Sequence, residues 1–317
     1  MSNRNLNKAR EAKNDEFYTR LTDIEKEMSH YQRHFKGKVV FCPCDDPYAS
    51  QFFQYFSKQF ERLGLKKLIT ACYQNVDPLR MSKHDIDGAI WLEYTGAKKG
   101  RRVPKPEDLG IHYFEGDGDF RSEESLALLR ESDIVVTNPP FSLFRDFMDI
   151  LQSERKKFIV VGNFNSVRNK DFWPFVRGGL LWLGVSPRGM VFDTPIGEKS
   201  GNACWFTNLD HKKRHEEIVC YRRFDSSEYP KYDYHNAIEV SKTKDIPCDY
   251  DGVMGVPISF LDKYNPDQFE ILGMTNTGEK NEGIRYPNTP HGRAMVNGKE
   301  IYGRILIRHR KKTRKTG

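Results

Sequence analysis

The stretch that decides the predicted fold is Asp133-Ile134-Val135-Val136-Thr137-Asn138-Pro139-Pro140-Phe141-Ser142. Its first half is an apolar, β-branched run of the kind found in parallel strands that are covered on both faces. The strand must end at the two prolines, because proline cannot donate to a sheet ladder. We therefore expect Asn138 at the carboxyl end of a strand, which is where open α/β sheets bind ligands.

The residues after this strand, Asn138, Pro139, Pro140 and Phe141, have the chemistry of a binding site. The side-chain oxygen of Asn138 and a proline-flanked backbone carbonyl are two hydrogen-bond acceptors in fixed positions. They match the two donors of a planar amino group, and the ring of Phe141 can stack on the heterocycle that carries it. A lone Asn-Pro pair would indicate a simple turn. The whole string after an apolar strand instead favours a site for an exocyclic amine on a flat ring.

Composition limits the class of protein. The chain has 317 residues, of which 38% are hydrophobic and 30% charged, as in globular proteins with one large domain or two modest ones. No apolar run approaches the roughly 20 residues that span a bilayer, and the polar N-terminus lacks the apolar core of a signal peptide. We therefore expect a soluble, cytoplasmic protein without a membrane partner. The formal net charge of +7 favours a polyanionic partner.

The cysteines and histidines do not predict a metal site. None of the six cysteines forms a Cys-x-x-Cys pair, so we expect buried, inert thiols in a reducing compartment and no bound metal. His211 and His215 have a metal-ligand spacing on a predicted helix. The intervening Lys-Lys-Arg lacks the glutamate of the zinc-protease motif, so a solvated basic face is the expectation.

Strand and helix patterns alternate from about residue 38 to 162, which predicts an α/β fold with a doubly wound parallel sheet. Residues 88–94 are a candidate hairpin insertion, and the closing pair of strands is open to an antiparallel arrangement. The first strand runs into a turn and a phenylalanine-rich helix over about residues 50–63. In this turn Asp45 and Asp46 replace the glycines of a dinucleotide fold. Two acids disfavour a pyrophosphate and suit an amine or ribose hydroxyls.

A second acid-rich turn is predicted at Gly116-Asp117-Gly118-Asp119-Phe120, where a strand that begins at His112 ends. The glycines allow the backbone to approach a ligand closely. A carboxylate in this turn can accept from an adenine amine, and the ring of Phe120 can stack on the base. Ser122 is expected to cap the helix that follows.

The two ends of the chain carry further candidates. The segment 15–20, Asp-Glu-Phe-Tyr-Thr-Arg, is equally compatible with a helix cap, in which Asp or Thr accepts free amides, and with a lid over a cofactor. The pattern breaks beyond about residue 210, so we predict domains at 1–210 and 211–317. The last strand becomes a basic tail, in which the expected phosphate contacts are Arg304, Arg308 and Arg310.

Taken in order, these strings resemble one family, the EcoRI-type adenine-N6 DNA methyltransferases. The likeness covers most of the chain up to about residue 273. It rests on long strings at 15–19, 41–47, 60–70, 116–122, 133–144, 205–210 and 250–257. It implies a Rossmann-like, S-adenosylmethionine-dependent methyltransferase fold in residues 1–210. Residues 211–317 would be a C-terminal target-recognition region that binds double-stranded DNA.

The resemblance also implies roles for individual residues. Those expected at S-adenosylmethionine are Tyr18, Cys42, Asp45, Asp46, Asp117, Asp119 and Phe120. A flipped-out target base would be held by Asn138, Pro139, Pro140 and Phe141. Two departures leave individual roles open. Acids replace the glycine-rich cofactor turn, and Tyr73 and Gln74 stand where the ribose-binding acid is expected.

Two alternatives stay open. An RNA adenine methyltransferase or a protein glutamine methyltransferase would hold its amine in the same way, and a non-catalytic DNA-binding module would share the fold. The basic C-terminal third and the extent of the matching strings favour duplex DNA, and the intact Asn-Pro-Pro-Phe favours catalysis. A cognate restriction endonuclease that acts on the same site without a stable complex is compatible with this interpretation.

Overall fold

The computed structural model describes residues 17–73, 88–96, 104, 106–194, 197–233, 236–275 and 294–310. The chain forms two compact units. The first comprises Met1–Phe164 and Leu183–Asp210, and the second comprises Asn165–Trp182 and His211–Gly317. The chain passes from the first unit to the second for the last time after Asp210. Residues 165–182, which were predicted in the first domain, belong to the second unit.

The first unit combines strands and helices as predicted. Its helices are α1 (Leu21–Met28), α2 (Gln32–Phe35), α3 (Gln51–Leu63), α4 (Glu123–Glu131) and α5 (Phe144–Ser153). Its first strands are β1 (Tyr18–Thr19), β2 (Val39–Cys42), β3 (Lys67–Cys72), β4 (Ile90–Tyr94), β5 (His112–Tyr113), β6 (Ile134–Thr137) and β7 (Lys157–Asn163). Its later strands are β8 (Trp182–Leu183, at the boundary), β9 (Met190–Thr194), β10 (Gly197–Gly201) and β11 (Ala203–Thr207). Strands β1, β9 and β10 form a small antiparallel sheet of their own.

The remaining eight strands form one mixed sheet in the order β5-β4-β3-β2-β6-β7-β11-β8. The central strands β3, β2, β6 and β7 are parallel, which confirms the predicted parallel centre. Strand β11 runs antiparallel to β7, as the closing strands were free to do. Strands β4 and β5 are also antiparallel to their neighbours, so the sheet is not uniformly parallel. The strand predicted from His112 to the acid-rich turn at 116–120 is shorter than expected, because it covers only the two residues of edge strand β5.

Helix α3 covers one face of this sheet. It begins at Ser50, whose side chain accepts the N–H of Phe52 at 3.1 Å, and it ends at Gly64 in the left-handed region. Its phenylalanines are buried with side chains of β2, β3 and β6. The prediction that they form core rather than ligand contacts is confirmed.

Helix α5 covers the opposite face and fixes the turn that follows β6. Its first residue, Phe144, packs on Phe206 of β11, with ring centroids 5.6 Å apart. The same ring fills the space beside Gly162 of β7 that a side chain would otherwise occupy. Because α5 starts three residues after Phe141, this packing also places the end of the Asn-Pro-Pro-Phe string.

The second unit contains α6 (Trp173–Arg177) and a four-stranded sheet in the order β12-β13-β17-β14. The strands of this sheet are β12 (Ala237–Glu239), β13 (Val253–Pro257), β14 (Phe269–Met274) and β17 (Arg304–His309). A separate two-stranded sheet consists of β15 (Met295–Val296) and β16 (Lys299–Glu300). The predicted C-terminal strand is confirmed as β17, which lies between β13 and β14. No helix among the described residues is long and apolar enough to cross a membrane.

The packing of Phe144 yields a stability prediction. Gly162→Ala should destabilise the protein by about 1–3 kcal/mol, because the added methyl group overlaps the buried ring. Gly201→Ala is the matched control, since a β-carbon there meets only Phe192 at 3.5 Å. Chemical denaturation of both variants measures the difference. Equal stability of the two variants would show that the packing of Phe144 beside Gly162 does not fix the turn after β6.

Candidate active site

The carboxyl ends of β2, β3 and β6 lie side by side, because these strands are parallel neighbours. The turn after β2 is held there by the backbone N–H of Asp45, which donates to the carbonyl of Ala71 at 2.9 Å. The second acid-rich turn reaches the same edge. A β-carbon at Gly118 would lie 2.6 Å from that of Ala89 and 3.0 Å from the carbonyl oxygen of Cys72. Both acid-rich turns therefore meet at the sheet edge predicted to bind ligands.

Asn138 lies directly after β6 with only half of its amide engaged. Its Nδ2 donates to the backbone carbonyl of Phe17 at 2.5 Å. Its Oδ1 is buried and has no hydrogen-bond partner among the described residues. A buried acceptor without a donor typically costs about 1–3 kcal/mol, and such groups in native proteins are concentrated at functional sites. The observation supports the predicted role of this oxygen as an acceptor for a ligand.

Phe141 belongs to an aromatic cluster that the sequence did not reveal. Phe17 stacks on it with ring centroids 5.2 Å apart and planes inclined by 15°. Phe192 of β9 packs edge-on against both rings, at 5.4 Å from Phe17 and 5.9 Å from Phe141. The ammonium of Lys199 lies 4.6 Å from the centre of the Phe17 ring. A flat ring thus already stacks on one face of Phe141.

The two adjacent acids after β2 have different surroundings. Asp45 is buried, and its carboxyl group lies within hydrogen-bond distance of two hydroxyls, those of Ser50 at 2.7 Å and Thr137 at 2.9 Å. Burial raises the pKa of Asp45 to about 7, against the lowering effect of these hydrogen bonds. Asp46 is half-buried, and one oxygen accepts the N–H of Tyr48 at 2.9 Å. Of the two, only Asp46 presents a carboxylate that a ligand can reach.

The acid-rich turn at 116–120 is also partly committed to the protein itself. Asp119 accepts from Nε of Arg121 at 2.9 Å. Burial opposes ionisation of this carboxyl, but the hydrogen bonds from Arg121 prevail and lower its pKa. Asp117 is exposed and accepts the N–H of Asp119 at 3.0 Å. Burial, and next the charge of Asp117, raise the pKa of Tyr73, which is 53% exposed. Asp117 is therefore the more accessible acid.

The thiols near this edge are not reactive groups. Cys42 is buried in the hydrophobic core, and burial, followed by the charge of Asp45, raises its thiol pKa. The pKa of Cys44 is raised for the same reasons, and Cys44 has a left-handed φ of 64°. Glycine adopts this left-handed conformation without steric cost, which is why it is favoured in tight turns. The expected contact of Cys42 with a cofactor has no support from its side chain.

The N-terminal segment is a strand rather than a helix cap. Tyr18 and Thr19 pair with Asp193 and Phe192 of β9, and the hydroxyl of Thr19 has no partner among the described residues. Helix α1 begins after Arg20 without a side-chain cap. The capping interpretation is therefore wrong for Thr19, because pairing with β9 takes it away from the helix. Tyr18 is half-buried, and Asp15 lies outside the described residues.

Comparison with known families decides what kind of chain this is. A family model described as "Adenine-specific methyltransferase EcoRI" matches residues 5–197 and 196–310. The chain belongs to the EcoRI methyltransferase family. The resemblance predicted from the sequence strings is confirmed.

Relatives of this chain from three bacteria align with it along almost their whole length. The Type II methyltransferase M.EcoRI of Escherichia coli is 42% identical over 98% of both chains. M.MpnI of Mycoplasma pneumoniae is 36% identical, and M.MgeORF184P of Mycoplasma genitalium is 35% identical, each over 96% of this chain and 98% of the relative. Both are also named Type II methyltransferases. No solved structure gives a significant match.

The arginines expected at DNA differ sharply in their surroundings. Arg304 is 15% exposed and pairs at 2.7 Å with Glu239, which also accepts from Tyr232 at 2.6 Å. Arg308 is 46% exposed and pairs with Glu270. Arg310 is exposed and donates to the carbonyl of Pro266. Within this unit the charge of Arg304 is therefore neutralised, while Arg308 and Arg310 remain at the surface. The tail from residue 311 onwards lies outside the described residues.

The two histidines with metal-ligand spacing have separate partners. His211 is buried and accepts the N–H of Arg214 at 3.2 Å, which caps a single turn at Lys212–His215. His215 lies 3.0 Å from Asp267. The predicted helix is thus only one turn long, and His211 does not lie on a solvated face. Among the described residues, no group of three His, Cys, Asp or Glu side chains converges as a metal site requires.

Sequence reasoning missed Phe17, Phe192 and Lys199 in the family's predicted base site. Phe17 stood inside a matching string but had no assigned role. Strand β9 was not predicted, although its side chains alternate between buried and half-buried over Met190–Asp193. In the sequence, however, Met190-Val191-Phe192 is a short continuous apolar run, so no period of two marked Phe192. Only the folded chain shows that both rings meet Phe141.

The two arginines of β17 provide a stability prediction. Arg304→Ala should cost about 3–5 kcal/mol, because it leaves the carboxylate of Glu239 buried without its cation. Arg308→Ala should change stability by less than about 1 kcal/mol, because its pair is exposed. Urea denaturation of both variants tests this. If Arg308→Ala lost more stability than Arg304→Ala, the pair of Arg304 with Glu239 would not be the buried, stabilising one.

Proposed function

We propose that this chain is a site-specific DNA adenine-N6 methyltransferase that methylates an adenine flipped out of duplex DNA. The observation that carries the proposal is the buried, unpartnered Oδ1 of Asn138 beside the ring of Phe141, in a chain of the EcoRI methyltransferase family. The names of its relatives support a restriction-modification role. A cognate endonuclease that acts on the same site without a stable complex is part of the proposal.

The residues at the sheet edge fit S-adenosylmethionine, a cationic amino acid joined to an adenosine. Asp46 and Asp117 offer accessible carboxylates for the amine and the ribose hydroxyls. Phe120 is half-buried and packs edge-on against Phe147, which leaves it as the ring available to the adenine. Tyr18 and the backbone at Asp119 complete the proposed set. When bound, this cofactor supplies an electrophilic methyl group on a sulfonium.

The protein's own contribution is position and electrostatics. The lone pair of an adenine amine is conjugated into the ring, so the amine is a poor nucleophile. Oδ1 of Asn138 and the carbonyl of Pro139 accept its two N–H groups and favour a pyramidal nitrogen. Pro140 stiffens the turn, and Phe141 stacks on the base. Such fixed acceptors stabilise the charge that develops in the transition state, without reorganisation.

Entry of the base on the face of Phe141 that Phe17 covers requires Phe17 to leave. Rings whose centroids are 5.2 Å apart in an offset stack leave no space for a third ring between them. The carbonyl of Phe17 also holds Nδ2 of Asn138. Phe17 thus occupies the ring position that we assign to the target adenine. We propose that the two rings exchange when the base flips.

The second unit is proposed to recognise DNA. The chain carries a net charge of +7, and phosphate contacts supply most non-specific affinity. Arg308 and Arg310 are at the surface and available for phosphates, whereas Arg304 is assigned to the structure of the unit.

The substrate class is tested directly. Purified protein is incubated with S-adenosylmethionine labelled in its methyl group and with separate pools of duplex DNA, RNA and protein. Label in N6-methyladenine of the DNA alone is the expected result. Label in RNA or in glutamine would overturn the proposal in favour of those substrates. Cofactor binding without label in any pool would indicate a non-catalytic DNA-binding module.

Asn138→Ala should lower the turnover number by at least about a hundredfold, because the site loses the acceptor that holds the amine. The dissociation constant for S-adenosylmethionine, measured by calorimetry, should stay within a few fold, since Asn138 is assigned to the base. A variant that retains more than about a tenth of the rate would remove Asn138 from the mechanism.

The ring exchange predicts opposite effects at two stacked residues. Phe141→Ala should weaken binding of duplex DNA that carries the target site by roughly 1–3 kcal/mol, while Phe141→Tyr should preserve it. Phe17→Ala should tighten binding by about 0.5–1.5 kcal/mol, because no aromatic pair has to separate. Competition binding at one fixed salt concentration measures all three. Weaker binding by Phe17→Ala would show that Phe17 supports the base instead of competing with it.

A further inference from the structure

Asp45 lies where three strand ends meet, and every polar group it has is engaged within the protein. It is 6% exposed. Its Oδ1 contacts the hydroxyl of Ser50 at the start of α3, and its Oδ2 contacts the hydroxyl of Thr137 at the end of β6. Its backbone carbonyl accepts from the hydroxyl of Thr70 in β3 at 3.0 Å. The side chain is therefore turned into the protein and away from the proposed cofactor.

The hydrogen count around Thr137 is informative. Its hydroxyl has one hydrogen, but its oxygen lies against both the carbonyl of Pro43 and the carboxyl of Asp45. A carbonyl can only accept, so Thr137 donates to Pro43. The contact between Thr137 and Oδ2 of Asp45, at 2.9 Å, then needs a hydrogen that Asp45 supplies. A carboxylate would instead place two acceptors against each other.

We infer that Asp45 is a neutral carboxylic acid in the folded protein and that it is a positioning residue for Asn138. Oδ1 accepts from Ser50, and the protonated Oδ2 donates to Thr137. Thr137 is joined to Asn138 by a single peptide bond. Asp45 thereby ties the turn after β2 to the residue that carries the unpartnered amide oxygen.

The electrostatic surroundings agree with this protonation state. Burial raises the pKa of Asp45 to about 7, and the neighbouring charge of Asp46 acts in the same direction. Among the described residues, Asp46 is the charge that acts on Asp45, and the thiols of Cys42 at the end of β2 and Cys44 in the turn also lie within reach of the Asp45 charge. None of these groups would stabilise a negative charge on Asp45.

The stability of the protein against pH tests the protonation state without any assay of activity. A group whose pKa is raised on folding stabilises the native state at low pH and loses that contribution as pH rises towards the folded pKa. Between pH 5 and pH 6, the ratio of folded to unfolded wild-type protein should therefore fall about tenfold relative to Asp45→Asn. Asparagine keeps one acceptor for Ser50 and one donor for Thr137, so this variant is expected to fold.

Two controls separate this outcome from others. Asp46→Asn changes the neighbouring, accessible carboxylate and removes only the smallest of the effects on Asp45, so the ratio of folded to unfolded protein should still fall between pH 5 and pH 6, unlike that of Asp45→Asn. The infrared spectrum of the wild-type protein should lose a protonated-carboxyl band between pH 6 and pH 8, a measurement that needs no stable variant. Equal slopes for wild type and Asp45→Asn, or no such band, would overturn the neutral acid.

The positioning role is tested by kinetics, and this arm rests on the proposed function. The wild-type turnover number should decline above about pH 7, and Asp45→Asn should remove that decline while keeping at least about half of the rate at pH 6. Asp45→Ala should lose about tenfold or more at every pH with little change in the KM for DNA. Equal impairment of Asp45→Asn and Asp45→Ala would overturn the positioning role. If the stability of the wild type falls with pH as predicted while the wild type methylates no substrate, the proposed function is wrong, but the inference that Asp45 is a neutral acid is retained.

Discussion

A strand that must stop at two prolines in the middle of a sheet is the constraint on which the site depends. Strand β6 lies between β2 and β7, and it is paired with β2 over residues 134–135 and with β7 over Ile134–Thr137. Beyond it, proline ends the ladder, and the acceptors of Asn138 and Pro139 are left without ladder partners. The start of α5 is fixed independently by Phe144 beside Gly162. A short string held at both ends can keep a buried, unpartnered oxygen, whereas a free loop would rotate it into water.

The turn after β2 places two adjacent acids in different surroundings. Asp45 is buried within the protein, whereas Asp46 is accessible to a ligand. Cys44 has a left-handed φ of 64°, which reverses the chain direction immediately before Asp45. Asp45 then enters the protein between β2, β3 and β6, while Asp46 remains half-buried at the edge. A glycine-rich turn would provide the same reversal without side chains. Here the acids add two functions to the turn: an internal tie to Thr137 and an external carboxylate.

The sequence predicted what local patterns determine. The proline-terminated strand, the phenylalanine-rich α3 and the Ser122 cap each depend on residues within a few positions, and all three are present. It did not predict contacts between distant parts of the chain. Phe17 reaches Phe141 only because β1 pairs with β9, and Arg304 is neutralised only because Glu239 lies across the sheet of the second unit. A charge near the chain end looks the same in sequence whether it faces a phosphate or a buried carboxylate.

If the proposed function holds, the free energy of exchanging Phe17 for a base couples occupation of the site to DNA binding. Separating the Phe17–Phe141 pair costs about 0.5–1.5 kcal/mol, and stacking of a base on Phe141 returns roughly 1–3 kcal/mol. The hydrogen bonds to Asn138 and Pro139 add to that gain. Unpairing and unstacking the base costs a few kcal/mol more, so the exchange is close to balanced by itself. Contacts to the duplex must supply the difference. A ring that closes the site in the free protein therefore makes base flipping depend on how well the surrounding DNA is held.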